Sequence, residues 1–156
     1  MSDSNQARLA VLQHARRQAA ASRLLSVISE RLAESPYRAI DADLSLKLQT
    51  ELSDRLKRMR VVGKLPSSRF ASAEEAVNEF CRRGNVLGAE TLVQFYSSSG
   101  GSGFFEGLAS PAFVLAWLES AREGLTIITP NLAAGVMIDA VLDDPLYGNF
   151  FEVEWW

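Results

Sequence analysis

Fifteen of the sixteen Lys and Arg residues in this 156-residue chain precede Gly84, and only Arg122 follows it. Residues 1–84 carry 15 cations against 10 carboxylates, net +5, whereas residues 85–156 carry 1 cation against 9 carboxylates, net −8. At the same glycine the apolar pattern changes from helical spacing to short β-prone runs. A chain of this length fits one domain. Such a domain holds two sub-structures of opposite sign, 1–84 helical and basic, 85–156 acidic and of α/β character, each setting its own field. Either half can attract an outside partner, or the two can neutralise each other.

Residues 6–34 read as one long helix, with Leu9, Leu12, Leu25, Ile28 and Leu32 at helical spacings and Ser35-Pro36 as its stop. Arg16 and Arg23 interrupt the seam, so a coiled coil is not the expectation. Leu44, Leu48, Leu52, Leu56 and Met59 predict a helix over residues 43–60. Gly63 and Pro66-Ser67-Ser68 read as a connection. Ser72 with Glu75 forms a capping-box signal for a third helix ending at Gly84.

The acidic half reads as ββαβαβ. Residues 91–97 and 104–106 are two strands of a hairpin joined by a Ser/Gly loop. Ser110-Pro111 opens a helix capped by Gly124. Residues 125–129 form a short buried strand. Asn131 caps a helix to about Leu142, and residues 150–155 form a final strand. The fold class is therefore α+β, with about three N-terminal helices followed by a mixed sheet.

Hydrophobic content of 47% and charged content of 22% are those of a globular chain rather than a disordered one. The longest apolar stretch, residues 108–118, is too short to span a bilayer, so no membrane partner is expected. The single cysteine, Cys81, excludes an intramolecular disulfide and offers no thiolate metal cluster, which favours a reducing, cytoplasmic setting. The acid-free run from Arg8 to Arg23 also has the composition of an organelle transit segment; Asp3 and the continuation of the helix count against that reading.

No residue set points to a reaction, and neither a cofactor nor a metal is implied. His14, the only histidine, is expected to be exposed on the first helix. Ser102 has Gly100 before it, but Phe104 stands where a nucleophile elbow requires its second glycine. Cys81 beside Arg82 and Arg83 is either an activated thiolate or, more simply, a packed thiol. Gly101, Gly103 and Gly107 miss the dinucleotide spacing, and the sequence before Lys64 misses the P-loop. Asp139, Asp143 and Asp144 are expected near a helix end.

Two surfaces remain. Arg55, Lys57, Arg58, Arg60, Lys64 and Arg69 form a basic run without an acid, suited to phosphate contact with nucleic acid; the plain alternative is a solvated face. Glu152 and Glu154 share one face of the final strand, with Phe151, Val153 and Trp155 on the other. With Trp156 they form an acidic surface suited to a basic protein partner. The expectation is thus a non-enzymatic binding or regulatory protein, either nucleic-acid-associated or an inhibitor or adaptor. The long first helix offers a route to self-association. A minor alternative places a small-ligand site at the loop 97–103, with Glu106 or Asp139 as acid or base.

Overall fold

The computed structural model describes residues 3–63, 65–97 and 100–156. Among these, four helices and seven strands run in the order α1 (Asp3–Leu32), β1 (Arg38–Ala39), α2 (Ala42–Val61), β2 (Ser67–Phe70), α3 (Ala73–Val86), β3 (Leu92–Ser97), β4 (Gly100–Glu106), α4 (Pro111–Ala121), β5 (Leu125–Ile128), β6 (Gly135–Asp144) and β7 (Gly148–Trp155). The strands form one sheet in the order β1-β4-β3-β5-β6-β7-β2. All its pairings are antiparallel. The α+β class stands, but the mixed sheet expected of the acidic half is wholly antiparallel and its order is ββαβββ.

The capping signals at Ser72 and Ser110-Pro111 hold, whereas α3 runs past its expected stop at Gly84 to Val86. Ser72 accepts from the Glu75 amide, Ser110 accepts from Phe113 N with Pro111 in the first helical turn, and Asp41 accepts from the amides of Asp43 and Leu44. Each oxygen satisfies a donor that the first turn of a helix leaves free.

Four local expectations change. Where a helix over 131–142 is expected, residues 131–134 form a turn and Gly135–Asp144 is strand β6. Asn131 Oδ1 accepts from Ala133 N and from Thr129 Oγ1, so the supposed cap shapes the β5–β6 turn instead. Asp143 and Asp144 consequently lie at the tip of the β6–β7 hairpin, where Asp144 Oδ1 accepts from the amides of Leu146 and Tyr147. The segment 67–70 is an edge strand rather than part of a connection. Gly100–Gly103 belongs to β4, with Ser102 buried and its hydroxyl donating to Phe95 O; Ser98 and Ser99 lie outside the described residues. Finally, α4 ends at Ala121 with Arg122 in the left-handed region (φ 56°). Gly124 serves close approach instead, since a Cβ there would stand 2.0 Å from Ile138 O.

The sheet separates two apolar layers. On one face α3, α4 and the second half of α1 cover Val93, Phe95, Phe105, Leu125, Ile127, Ile138 and Val153, around the buried Trp117. On the other, Leu48, Leu52 and Leu56 of α2 cover Leu92, Phe104, Ile128 and Met137. Full burial of each such leucine contributes about 2 kcal/mol. The expected alternation in β7 is observed: Val153 is buried, and Phe151 and Trp155 join the α3/α4 layer. Glu152 and Glu154 project toward the α2 side, where Arg69 and Arg60 meet them.

Helix α1 crosses the β1/β4 edge and joins both layers. Its inward stripe begins at His14, not at Leu9 and Leu12, which are 50% and 52% exposed. His14 is buried against expectation. Its Nε2 lies 2.8 Å from Ser45 Oγ in α2, and that oxygen also accepts from Phe104 N. Gln18 donates to the carbonyls of Ile40 and Phe104. These buried polar contacts tie α1 to α2 and to the sheet edge. No helix among the described residues is long and apolar enough to cross a membrane.

Candidate functional site

Helix α2 covers only part of its sheet face. Beyond Leu52 and Leu56 it lifts over a cleft of about 420 Å³, whose sheet side is polar. Five separate segments supply the walls. Gln49, Ser53, Lys57 and Arg60 descend from α2. Gln94 and Tyr96 rise from β3, Gly101 from β4 and Asp139 from β6; Glu123 closes the side next to α4. Leu52 and Leu56 of α2 and Met137 of β6 form the apolar part of the lining. A concave site of this size with few polar groups on an apolar base is the usual form of a small-ligand site, for which volumes of roughly 300–1,000 Å³ are typical.

The cleft has two ends. At one, the amides of Gln49 and Gln94 meet at 3.3 Å. The backbone of Gly101 closes over them so tightly that a Cβ would stand 2.8 Å from Gln94 Nε2. At the other end the groups are charged. Arg60 reaches Glu154 Oε1 at 3.2 Å, and Asp139 is the direct cross-strand neighbour of Glu152. Burial first, and then Glu154, push the Asp139 carboxyl up to about 6, with Arg60 acting in the opposite direction. Among the described residues Asp139 takes part in no ion pair, because Arg60 is turned to Glu154. The Thr126 hydroxyl donates to the Tyr96 phenol oxygen at 3.2 Å, and the phenol proton has no acceptor among the described residues. Burial also holds the Tyr96 pKa above its usual value. The phenol thus stays neutral at physiological pH.

The predicted basic run does not stay together. Arg60 pairs with Glu154, and Arg69 meets Glu152 at 3.4 Å while lying over the rings of Tyr147 and Phe150. Two of the six proposed phosphate contacts thus engage the two carboxylates proposed for a protein partner. Lys57 enters the cleft. Arg55 and Arg58 line a separate groove beside Met59 and Trp156. Lys64 lies outside the described residues. Trp156 is half-buried against the α2 layer, its indole N–H donating to Leu132 O at 3.2 Å; it is a fixed part of the core edge rather than a free anchor.

The remaining chemical candidates separate in space. Glu106 pairs with Arg38 at the β1/β4 edge, away from Asp139. Cys81 is buried, and burial pushes its thiol up to about 11; Arg82 and Arg83 are turned to Glu79 instead. Sequence reasoning singled out Asp139 and the glycine run beside it. It missed Gln49, Ser53, Gln94 and Tyr96, whose only local signal is polarity at positions of a helix and a strand that otherwise face the core. No family model, curated protein or solved structure matches this chain.

Proposed function

We propose that this protein is a non-enzymatic binding protein that holds a small polar ligand in the cleft between α2 and the sheet. The observation that carries the reading is Asp139: a carboxyl facing the cleft, deprived of its nearest cation by Glu154. Burying such a group is costly unless a partner compensates it. A bound ligand supplies that partner. Among the described residues the cleft holds no histidine, cysteine or buried nucleophile with a base beside it, which favours capture over turnover. The test is a screen of polar metabolites by amide chemical-shift mapping. Expected are shifts confined to Gln49, Gln94, Tyr96, Gly101 and Asp139; a screen that leaves these resonances unmoved removes the reading.

A second reading keeps nucleic acid as the partner through Arg55, Lys57 and Arg58, which have no carboxylate partners among the described residues. It requires duplex binding that weakens steeply with salt and is lost in Arg58→Glu with Lys57→Glu. Capture of a basic protein through Glu152 and Glu154 has less support, because Arg69 and Arg60 already engage both. Self-association through α1 would use the exposed Leu9 and Leu12. A mass in solution unchanged by Leu9→Gln with Leu12→Gln would count against it.

A further inference from the structure

Resting on the cleft reading above, we infer that the ligand is a zwitterion of the free amino-acid type with a hydrogen-bonding side chain: its ammonium meets Asp139, its carboxylate meets Lys57, and its side chain meets the amides of Gln49 and Gln94.

The two-ended lining carries this assignment. A purely anionic ligand would face Asp139, with Glu123 lining the same cleft and Glu154 beside it, and like charges at such range are repulsive. A purely cationic ligand would face Lys57 and Arg60. A molecule that carries an ammonium and a carboxylate on the same carbon satisfies both sides at once. Arg60 is held by Glu154, so Lys57 is the cation left to turn to a carboxylate. Its flexible stem and three donors suit that role. The far end is built for a neutral polar group. Each glutamine presents both a donor and an acceptor, and their mutual contact is a long 3.3 Å that a ligand amide or hydroxyl can replace. Gly101 keeps both amides in place, since any side chain there would displace them. Between the ends, Leu52, Leu56 and Met137 offer an apolar bed for the aliphatic stem. The Tyr96 hydroxyl accepts from Thr126 and can turn its proton to the ligand carboxylate.

This arrangement makes capture pH-dependent. The charged and titratable groups facing Asp139 are Lys57, Arg60, Tyr96, Glu123, Glu152 and Glu154. Asp139 binds an ammonium only when ionised, and its carboxyl is held up to about 6. Affinity therefore rises from about pH 5 to about pH 7, with a proton released on binding at the acid end.

The test uses the full chain and calorimetry with L-glutamine, L-asparagine and L-serine, against N-acetyl-glutamine, glutamine amide, L-leucine and myo-inositol. Amide shifts of Gln94 and Tyr96 locate each binding event. Expected is binding of the polar free amino acids, about tenfold weaker once either the amino or the carboxyl group is blocked, and about tenfold weaker in Asp139→Asn and in Lys57→Met. Spectral dispersion confirms that both variants are folded. If inositol or the blocked compounds shift Gln94 and Tyr96 as strongly as the free amino acids, the zwitterion assignment is overturned while the cleft remains a ligand site. If none of the seven compounds moves those residues, both statements fall.

Discussion

Replacing Asp139 by asparagine should make the protein more stable at neutral pH, and the size of the gain follows from where the carboxyl sits. The native carboxyl holds its proton more tightly than the unfolded one, because burial and Glu154 raise its pKa from the usual 3.8 to about 6. The native state therefore binds more protons between pH 3.8 and about pH 6, and stability falls as pH rises through that window. At about 1.36 kcal/mol per pH unit, the full effect above the window is at most about 3 kcal/mol. Water in the open cleft and the nearby Arg60 reduce this to about 1–2 kcal/mol. Asparagine keeps the shape and removes the charge. With a urea slope of roughly 2 kcal/mol/M for a domain of this size, its unfolding midpoint should rise by about 0.5–1 M near pH 7.5. Near pH 4, where the native carboxyl is already protonated, the two midpoints should nearly coincide. A variant less stable than the parent at neutral pH, or a difference that does not change with pH, would refute the reasoning.

Three further outcomes test the architecture. Gly124→Ala should cost more than about 3 kcal/mol, or abolish folding, since its Cβ meets the Ile138 carbonyl at 2.0 Å; a thermal midpoint within a few degrees of the parent would contradict that approach. In a double-mutant cycle, Arg60→Ala with Glu154→Gln should give a coupling of about 0.2–1 kcal/mol, because Arg60 is 53% exposed even though Glu154 is not; a coupling of several kcal/mol would mean that the pair is buried. Burial, followed by Arg17, holds the His14 imidazole below its usual 6.5. Its contribution to stability is present above pH 6.5 and lost as pH falls below it. Urea midpoints of His14→Gln, in the Asp139→Asn background to remove the opposing carboxyl, should be flatter with pH than those of the background alone.

What could be read from the chain depended on how local the signal was. Ser72, Ser110 and Pro111 announce helix starts because a cap is settled by three or four neighbouring residues. The leucine stripe of α2 is equally local. Residues 131–142 were misread because Asn131 and the two alanines after it resemble a helix start. The following run, Val136 to Ile138, is covered on both faces and so loses the polar alternation that marks a strand. The edge strand β2, Ser-Ser-Arg-Phe, has no strand signature of its own; only its register with Phe151 to Glu154 makes it one. The cleft was the least legible feature. Asp139 stood out as a charge, but Gln49 and Gln94 are 45 residues apart, and nothing local to either predicts that they meet. His14 looked like a surface residue because its partner, Ser45, lies 31 residues on.

The strand order has a consequence for how the chain assembles during synthesis. The five central strands all come from residues 92–155, yet both outer strands come from the first 70 residues. Arg38 waits for Glu106, and Ser67 waits for Glu154. A nascent chain made only as far as α3 therefore contains helices and two orphan edge strands, with no sheet to join. At a translation rate of about 5–20 residues per second, the leucine stripe of α2 remains uncovered for several seconds. The last hairpin to emerge, β6–β7, is also the one that seats β2 and gives Arg60 and Arg69 their carboxylates. Strands β1, β4, β3 and β5 can pair before that hairpin appears, so shortening it should leave β2, Arg60 and Arg69 without their partners while the other half of the sheet is still built.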